Sequence, residues 1–350
     1  MTDRVETGSI AQAVESHLVA LRESPGYRNY LLVRDRVLAM KDQASASAAG
    51  TGEPSEYWRE ELGGFDYLLD ASPLVIAKLR QHTHHVTGVR AYDYRSNRER
   101  QRKRFEDKLR ALRKRGGDEL LVPESPALGG FGFEIEGRLF NVDTLKFYEV
   151  LVALKKAAVL DEFLGTAERR LVWEIGAGWG GFAYQFKTLC ANVTYVITDL
   201  PELFLFSATY LQTLFPGAGC AFAGARPLAD LLAAWAEYDF IFLPNTRLAE
   251  TRLPRVDLTV NMVSFQEMTG AQVDAYARAA HEQDCAILYS LNRERSGYNR
   301  ELTSVSEILG RYYWLHEVKV MPVGYQKMLD EAPSDKDYRH QVGWRRVQLA

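Results

Sequence analysis

The sequence has little of several features that mark specialised protein classes. It contains only three cysteines among 350 residues, and Cys190, Cys220 and Cys285 are too far apart for a metal-ligand motif or an even disulfide framework. No apolar run approaches the roughly 20 residues of a membrane span, and no basic segment followed by an apolar core opens the chain. We therefore expect a cytoplasmic protein with reduced thiols and no membrane partner.

The sequence also lacks a strong charge imbalance. Its net charge is −3, with 47% hydrophobic and 25% charged residues, which is typical of a soluble globular protein. The exception is local, because residues 95–115 carry eleven basic and three acidic side chains. Phe105, Leu109 and Leu112 recur there at helical spacing, which predicts an amphipathic helix that ends at Gly116-Gly117. A solvated helix face is the simpler interpretation, and a surface for an anionic substrate or a nucleic acid is the alternative.

The patterning divides the chain at about residue 140. We expect residues 1–139 to form a mainly helical cap that contributes to the substrate site, with a flexible loop near residues 41–55. Residues 140–350 follow as a second domain, in which short apolar runs alternate with helices from residue 171 onward. The runs at 171–175, 193–198, 238–243, 258–263 and 285–290 predict a parallel, doubly wound sheet. Residues 314–322 and 342–349 predict a closing antiparallel hairpin.

A glycine-rich loop, "WEIGAGWGGFAYQFK" at residues 173–187, follows the first of these strands. It satisfies the G-x-G-x-x-G pattern of a dinucleotide loop and also the E-x-G-x-G-x-G pattern of an S-adenosylmethionine (SAM) loop. Glu174 would repel a pyrophosphate but would suit the cationic amino group of methionine. Trp179 adds an apolar wall that fits a thioether chain, so SAM is favoured over a dinucleotide.

An acidic residue, Asp199, ends the second strand and can accept both ribose hydroxyls of either nucleoside cofactor. The remaining cofactor candidates lie beside it, in the glycine loop or after later strands. These predicted cofactor residues are Glu174, Gly176, Ala177, Gly178, Trp179, Asp199, Leu200, Asn245 and Asn261, with Phe242 as a second neighbour of the adenine.

Four stretches together resemble a known family. "VWEIGAGWGGFA", "VITDLPELF", "FIFLPN" and "DLTVNMVSFQEMT" occur in this order and resemble bacterial sugar O-methyltransferases, with actinobacterial enzymes acting on methylated mannosides as a narrower comparison. The resemblance covers about residues 140–300. It implies a class I Rossmann-like methyltransferase that binds SAM, releases S-adenosylhomocysteine and methylates a hydroxyl of a sugar or oligosaccharide.

A sugar hydroxyl is a weak nucleophile, so we expect a base beside the transferred methyl group. Glu267, in "SFQEM", is the first candidate, although Ser264 and Glu267 also match a helix capping box. Gln266 would bond sugar hydroxyls. The histidine cluster "RQHTHHV" offers His85 as a second base and His82 as a substrate contact. Tyr289, Asn292, Tyr298 and Asn299 are predicted to form a loop that grips the sugar.

Three other functions compete with this interpretation. A NAD(P)-dependent oxidoreductase would use the dinucleotide pattern, and a nucleic-acid methyltransferase would use the basic helix at residues 95–115. A non-catalytic regulator would keep the fold without turnover. We expect no nucleic-acid partner and no metal site, and the exposed N-terminal helices favour a homodimer.

Overall fold

The computed structural model describes residues 6–45, 52–295, 299, 302, 304–321 and 338–347. The N-terminal part is mainly helical, as expected, and its α-helices are α1 (Glu6–Arg22), α2 (Pro25–Ser45), α3 (Glu56–Gly63), α4 (Pro73–Ile76), α5 (Leu79–His82), α6 (His84–Thr87) and α7 (Glu99–Gly116). A short hairpin follows, formed by β1 (Phe133–Ile135) and β2 (Arg138–Phe140). None of the helices in the described ranges combines the length and the apolarity that a membrane span requires.

The rest of the chain alternates between strands and helices. The strands are β3 (Arg170–Ile175), β4 (Val193–Asp199), β5 (Cys220–Phe222), β6 (Phe240–Pro244), β7 (Leu258–Met262), β8 (Ile287–Asn292), β9 (Tyr313–Glu317) and β10 (Arg339–Arg345). The helices are α8 (Val142–Lys156), α9 (Gly181–Leu189), α10 (Phe204–Leu214), α11 (Leu228–Ala233), α12 (Gly270–Glu282) and α13 (Val305–Leu309).

These strands form one eight-stranded sheet in the order β5-β6-β4-β3-β7-β8-β10-β9. The first six pair in parallel, and β10 runs antiparallel to both β8 and β9. This order confirms the Rossmann-like class I methyltransferase sheet with its closing hairpin. The chain winds outward from β3 in one direction and then returns to β7 on its other side. A crevice therefore opens at the carboxyl ends of β3 and β7, where ligands of doubly wound sheets bind.

The basic segment forms the predicted amphipathic helix, α7. Phe105, Leu109 and Leu112 are buried along its inner face, and Gly117 ends the helix with a φ of 76°. On the outer face, several arginines form ion pairs with nearby acids, such as Arg102 with Glu106 at 2.8 Å. Part of this charge is therefore neutralised within the protein, as the interpretation of a solvated helix face requires.

The segment at residues 41–55 is the one predicted to contain a flexible loop. Residues 41–45 belong to α2, and residues 46–51 lie outside the described ranges. Residues 52–55 pack against the sheet domain, because the Gly52 carbonyl accepts a bond from Asn245 Nδ2 at 2.8 Å and the Glu53 carbonyl accepts one from Gln272 Nε2 at 2.7 Å. Both described ends of this segment are therefore part of the ordered fold, and the flexible loop remains a prediction.

Candidate functional site

A cavity of about 590 Å³ lies at the carboxyl ends of β3, β4 and β7, beneath α3 and α6. Its walls combine the glycine loop and the turn after β7 with side chains of the N-terminal helices. Of the predicted site residues, the lining includes Glu174, Gly176, Ala177, Gly178, Trp179, Asp199, Leu200, Asn245, Glu267 and His85. The fold therefore brings most of the predicted cofactor residues and both base candidates to one cavity.

The glycine loop makes a tight turn between β3 and α9. Gly176 and Gly178 have φ angles of 71° and 58°, a region that glycine enters without a steric penalty. A Cβ atom on Gly176 would lie 2.0 Å from Ser264 Oγ, so the close approach of this loop to the turn after β7 requires glycine here.

Among the acids that line the cavity, Glu174 is unusual because it is buried without a hydrogen-bond partner. Its side chain is 1% exposed, and neither carboxylate oxygen has a hydrogen-bond partner among the described residues. Burial raises the pKa of Glu174 to about 8, and the charge of Asp199 adds to the shift. The Tyr195 hydroxyl opposes it, although it completes no hydrogen bond. A buried, unpartnered carboxylate is costly for a protein, and a bound cation or hydrogen-bond donor would remove that cost.

Asp199 closes the glycine loop from the end of β4. Its Oδ2 accepts the Gly178 N–H at 2.8 Å, and its Oδ1 accepts the Leu200 N–H at 2.8 Å. Burial still raises the pKa of Asp199 to about 7, and these backbone bonds only partly oppose the shift. Each carboxylate oxygen keeps a second lone pair, so Asp199 can still accept from a ligand hydroxyl.

The two predicted cofactor asparagines have different environments. Asn245 lines the cavity and donates to Gly52, while its buried Oδ1 has no partner in the described residues. Asn261 is fully buried, and its amide joins Ile175 to the turn after β7, donating to the Ile175 carbonyl at 2.8 Å and accepting from Phe265 N–H at 3.0 Å. Asn261 therefore positions the two loops and does not reach the cavity. Phe242 is likewise buried in the sheet, stacked on Phe222.

Glu267 enters the cavity from a short 3-10 turn, Phe265–Glu267. Burial raises its pKa to about 8, partly opposed by Lys146, while the charge of Glu61 raises the pKa further. The alternative role as a helix cap is wrong, because Ser264 makes no capping bond. Instead α12 begins after Thr269, whose hydroxyl forms the capping box with Gln272. Glu267 thus lies outside the helix that it was predicted to cap.

The histidine cluster contributes two rings to the cavity, His84 and His85. Burial lowers the pKa of His85, and the neighbouring His84 lowers it further, so the neutral ring is favoured. His84 Nδ1 faces the Gln81 carbonyl at 3.0 Å and must therefore carry the proton in the neutral ring, which leaves Nε2 as an acceptor. His82 does not line the cavity; its Nδ1 bonds to the Tyr67 hydroxyl at 2.6 Å.

The predicted sugar-gripping loop is wrong in its two first members. Tyr289 and Asn292 lie within β8 and are buried. Tyr289 falls inside the strand predicted at 285–290, and the strand continues two residues beyond that predicted end to include Asn292. Tyr289 bonds through its hydroxyl to His340 Nδ1 at 2.6 Å, and Asn292 donates to Asn261 Oδ1 at 2.8 Å. Tyr298 lies outside the described residues.

The side chains of Gln266 and Asn299 form hydrogen bonds within the protein. The Gln266 Oε1 accepts the Arg293 N–H at 2.9 Å, and the side chain does not line the cavity. Asn299 Nδ2 donates to the carbonyls of Gln266 and Met268 at 2.9 and 2.7 Å. Both side chains hold the turn that carries Glu267, and neither faces the space where an acceptor would bind.

Several lining residues were missed by the sequence prediction. The hydroxyl of Ser55 caps α3 through the Trp58 N–H, and this start places Tyr57, Trp58 and Glu61 on the helix face that lines the cavity. Two further residues of the lining that were not predicted are Lys146 and Tyr338. The adjacent aromatics in "SEYWREE", next to a small-residue segment, were the only local signal for this wall.

A fully buried arginine connects the glycine loop to the histidine segment. The Arg80 guanidinium lies 3.7 Å from the centre of the Trp179 ring and bonds to Glu124 at 2.9 Å and Asp143 at 3.0 Å. It also donates to Thr83 Oγ1 at 2.5 Å, directly before His84. The cluster is fully paired and therefore organises the cavity wall without offering a free charge to a ligand.

In the described part of the chain, no three His, Cys, Asp or Glu side chains are grouped as a metal ion would require. The three cysteines are free thiols. Cytoplasmic localisation and the division at residue 140 remain predictions.

Comparisons with known proteins give no family assignment, since no family model and no curated protein match the chain. Solved structures that match include magnesium protoporphyrin IX methyltransferase from Synechocystis with bound SAM, at 12% identity, 76% coverage of this chain, 97% of that chain and a TM-score of 0.36. Precorrin-6y C5,15-methyltransferase from Geobacter metallireducens matches at 14% identity, with 55% and 88% coverage and a TM-score of 0.33. The methyltransferase domain of a bacterial Hen1 matches at 11%, with 59% and 100% coverage and a TM-score of 0.36. Likeness at this level carries no argument by itself, so the fold assignment depends on the strand order.

Proposed function

We propose that this chain is a SAM-dependent O-methyltransferase that methylates a sugar hydroxyl. The observation that carries the proposal is Glu174, a carboxylate without a partner, buried beside a glycine loop in a cavity at the switch point of the sheet. SAM carries an ammonium and a sulfonium, and either cation would compensate this buried charge.

The other cofactor contacts follow from groups that still lack partners. Asp199 would accept the ribose hydroxyls through its second lone pairs, and the unpaired Asn245 Oδ1 would accept the adenine amino group. A dinucleotide fits less well. Its pyrophosphate needs free loop amides, but the Gly178 N–H already donates to Asp199, and Glu174 adds a second negative charge beside the loop.

The acceptor side of the cavity has the composition of a carbohydrate site. Tyr57 and Trp58 offer aromatic faces, on which the C–H face of a sugar ring can stack. Glu61 and Glu267 offer carboxylate oxygens, which accept hydrogen bonds from sugar hydroxyls. This combination supports a sugar acceptor, in agreement with the resemblance in "SFQEM".

SAM supplies an electrophilic methyl group, so the protein has to align the acceptor oxygen, exclude water and remove one proton. We assign proton removal to Glu267 in its ionised form, with His85 as the alternative base. Burial raises the pKa of Glu267 to about 8, and Lys146 and Trp58 partly oppose the shift, so the ionised base becomes populated as the pH approaches 8. The acceptor oxygen would form its bond to the methyl carbon as the carbon–sulfur bond breaks and the proton passes to Glu267.

The test combines binding with turnover. We expect calorimetry to show binding of SAM and S-adenosylhomocysteine, and mass spectrometry to show a gain of one methyl group on a member of a glycan and nucleotide-sugar panel. Binding of SAM without methylation of any glycan would contradict the sugar assignment and favour a regulator. Binding of NAD(H) without SAM would contradict the methyltransferase assignment.

We further propose that residues 1–139 cap the acceptor site and that α1 supports a homodimer. Ile10, Val14 and Val19 of α1 are 61%, 54% and 45% exposed, as is Leu32 of α2 at 63%, which leaves apolar surface for a second copy. Light scattering of the full chain should give a mass of twice 39.7 kDa. A monomeric mass at micromolar concentration would contradict the homodimer.

A further inference from the structure

A pair of arginines without carboxylate partners lies where α7 begins, beside the cavity. The guanidinium carbons of Arg95 and Arg98 lie 4.1 and 5.2 Å from the centre of the same exposed ring, Tyr92. Neither arginine forms an ion pair with any acid in the described ranges, whereas Arg102, Arg110 and Arg113 on the same helix all do. Both guanidinium groups therefore lie near one ring, and no acid in the described ranges forms an ion pair with either of them.

Arg98 connects this pair to the proposed methyl-transfer site. Arg98 and Gln101 line the same cavity as Glu267 and Trp58, so a ligand that reaches Glu267 can extend toward the arginines. Asp93 also lines this part of the wall, and Glu99 begins α7, but neither acid pairs with the arginines. The first N–H groups of an 18-residue helix follow Arg98 directly, and such a helix start adds positive potential.

We propose that Arg95 and Arg98 form an anion subsite for a phosphoryl group attached to the acceptor sugar. The proposal rests on the proposed function, because it assigns the acceptor of that reaction to the class of phosphorylated sugars. A guanidinium presents a planar pair of donors that matches the oxygens of a phosphate. Arg98 brings one such group into the cavity wall, and Arg95 adds a second cation beside the same ring. SAM itself carries no phosphate, so this subsite belongs to the acceptor.

The experiment measures binding without cofactor and without turnover. Calorimetry would compare glucose 1-phosphate, UDP-glucose and free glucose on the wild-type full chain and on the double variant Arg95→Gln, Arg98→Gln. We expect the wild type to bind at least one phosphorylated probe about tenfold more tightly than the double variant, with an advantage that shrinks as salt is raised. The stronger of the two probes identifies a sugar monophosphate or a nucleoside diphosphate sugar as the source of the phosphoryl group.

Two controls separate this subsite from general surface charge and from the cofactor site. Arg110→Gln removes an exposed charge from the same helix and should leave binding of the phosphorylated probe unchanged. SAM affinity should be the same in all variants, since the proposal assigns the cofactor to Glu174 and Asp199. If SAM does not bind, the proposed function fails, whatever the phosphorylated probes show.

Three results would overturn the anion subsite. The wild type could bind neither phosphorylated probe, the double variant could retain full affinity for both, or Arg110→Gln could reduce their affinity as much as the double variant does. Each of these results leaves SAM binding untouched and so does not bear on the methyltransferase assignment itself.

Discussion

Two groups of buried acids lie within the same fold, and they differ in whether the protein satisfies them. Glu124 and Asp143 both pair with Arg80, and all three side chains are at most 1% exposed. Glu174 is equally buried, but neither of its oxygens has a partner among the described residues. The first group holds the glycine loop against the N-terminal segment, and the second leaves a carboxyl group without a partner in the wall of a cavity.

The difference distinguishes structural charges from charges that a ligand completes. A fully bonded buried ion pair adds little net stability, because the cost of desolvation offsets its attraction. The loss of one member is nevertheless costly, because it leaves the other charge buried and uncompensated. A buried acid that lacks a partner already carries this cost in the ligand-free protein, and a cationic ligand would remove it. Substitutions in the first group should therefore lower stability, and substitution of Glu174 should lower ligand affinity.

The largest effect is expected from the paired group. Glu124→Gln leaves Arg80 without its bidentate partner and should lower the free energy of unfolding by about 3–5 kcal/mol. Urea denaturation measures the change. Glu106→Gln is the matched control, because its exposed pair with Arg102 contributes less than about 1 kcal/mol. Equal stability of both variants would show that the Arg80 cluster is not structural.

Substitution of the proposed base at the acceptor end of the cavity should lower the turnover rate. Glu267→Gln removes the proposed base and should lower kcat by about 100-fold or more, while SAM affinity changes little. The pH profile identifies the base. Ionisation of Glu267 predicts a rise in kcat/KM with pH toward about 8, whereas His85 as the base predicts a limb below its ordinary value of 6.5. Near-normal turnover of Glu267→Gln with a large loss in His85→Asn would transfer the role to His85.

Substitution of the acid without a partner, Glu174, should change the affinity for SAM and not the free energy of unfolding. Glu174→Gln removes the carboxylate that would pair with a cation of SAM and should weaken SAM binding by roughly 10- to 100-fold, since a charged hydrogen bond contributes about 1.5–3 kcal/mol. Calorimetry gives the affinity, and a urea titration of the ligand-free variant should show no loss of stability. A variant that binds SAM normally but unfolds more easily would place Glu174 in the structural group.

The pH dependence of stability offers a smaller effect with a definite sign. The raised pKa values of Glu174 and Asp199, about 8 and about 7, mean that their folded forms hold protons that the unfolded chain has released. The stability they contribute is complete below their ordinary pKa values and is lost as the pH rises through the folded values. We therefore expect ligand-free stability to fall between pH 5 and 8, by at most about 1.4 kcal/mol per pH unit for each group.

That slope can be checked by urea titrations across the same range. Glu174→Gln should flatten it, because the variant has one fewer acid to ionise, while Glu106→Gln should leave it unchanged. A slope that is identical in wild type and Glu174→Gln would show that Glu174 is already ionised in the folded protein.

The smallest effect is expected at the proposed adenine contact. Asn245→Ala removes a neutral acceptor and should weaken SAM binding by up to about tenfold. The same change also removes the bond to Gly52, so the melting temperature should be measured alongside the affinity. A loss of stability with unchanged affinity for SAM would restrict Asn245 to holding residues 52–55.

The fold was predictable wherever local signals were strong. A serine followed by proline is a local signal for a helix start, and Ser72-Pro73 starts α4 with a capping bond to the Val75 N–H. The apolar stripe of α7 is buried as its spacing indicates. The end of α8 was not predictable, since Val159 and Leu160 continue the apolar pattern after the helix has ended at Lys156. The edge strand β5 escaped detection because its three residues are too short for a periodic pattern.

The site was predictable at the cofactor end and less so at the acceptor end. Glu174 and Gly176 are neighbours in sequence, so one short pattern identifies them together. Tyr57 and Trp58 reach the cavity from more than 100 residues away, through tertiary packing that no local pattern encodes. Asn261 and Gln266 have polar side chains near the site, but these side chains form hydrogen bonds within the protein and do not line the cavity.

Calorimetric titration of the wild-type chain with SAM and with NADH, in two buffers of different ionisation enthalpy at neutral pH, tests the central claim most directly. The account predicts that SAM binds and that binding releases protons, because a cation beside Glu174 and Asp199 lowers their raised pKa values. Binding of NADH in the absence of any SAM binding would contradict it.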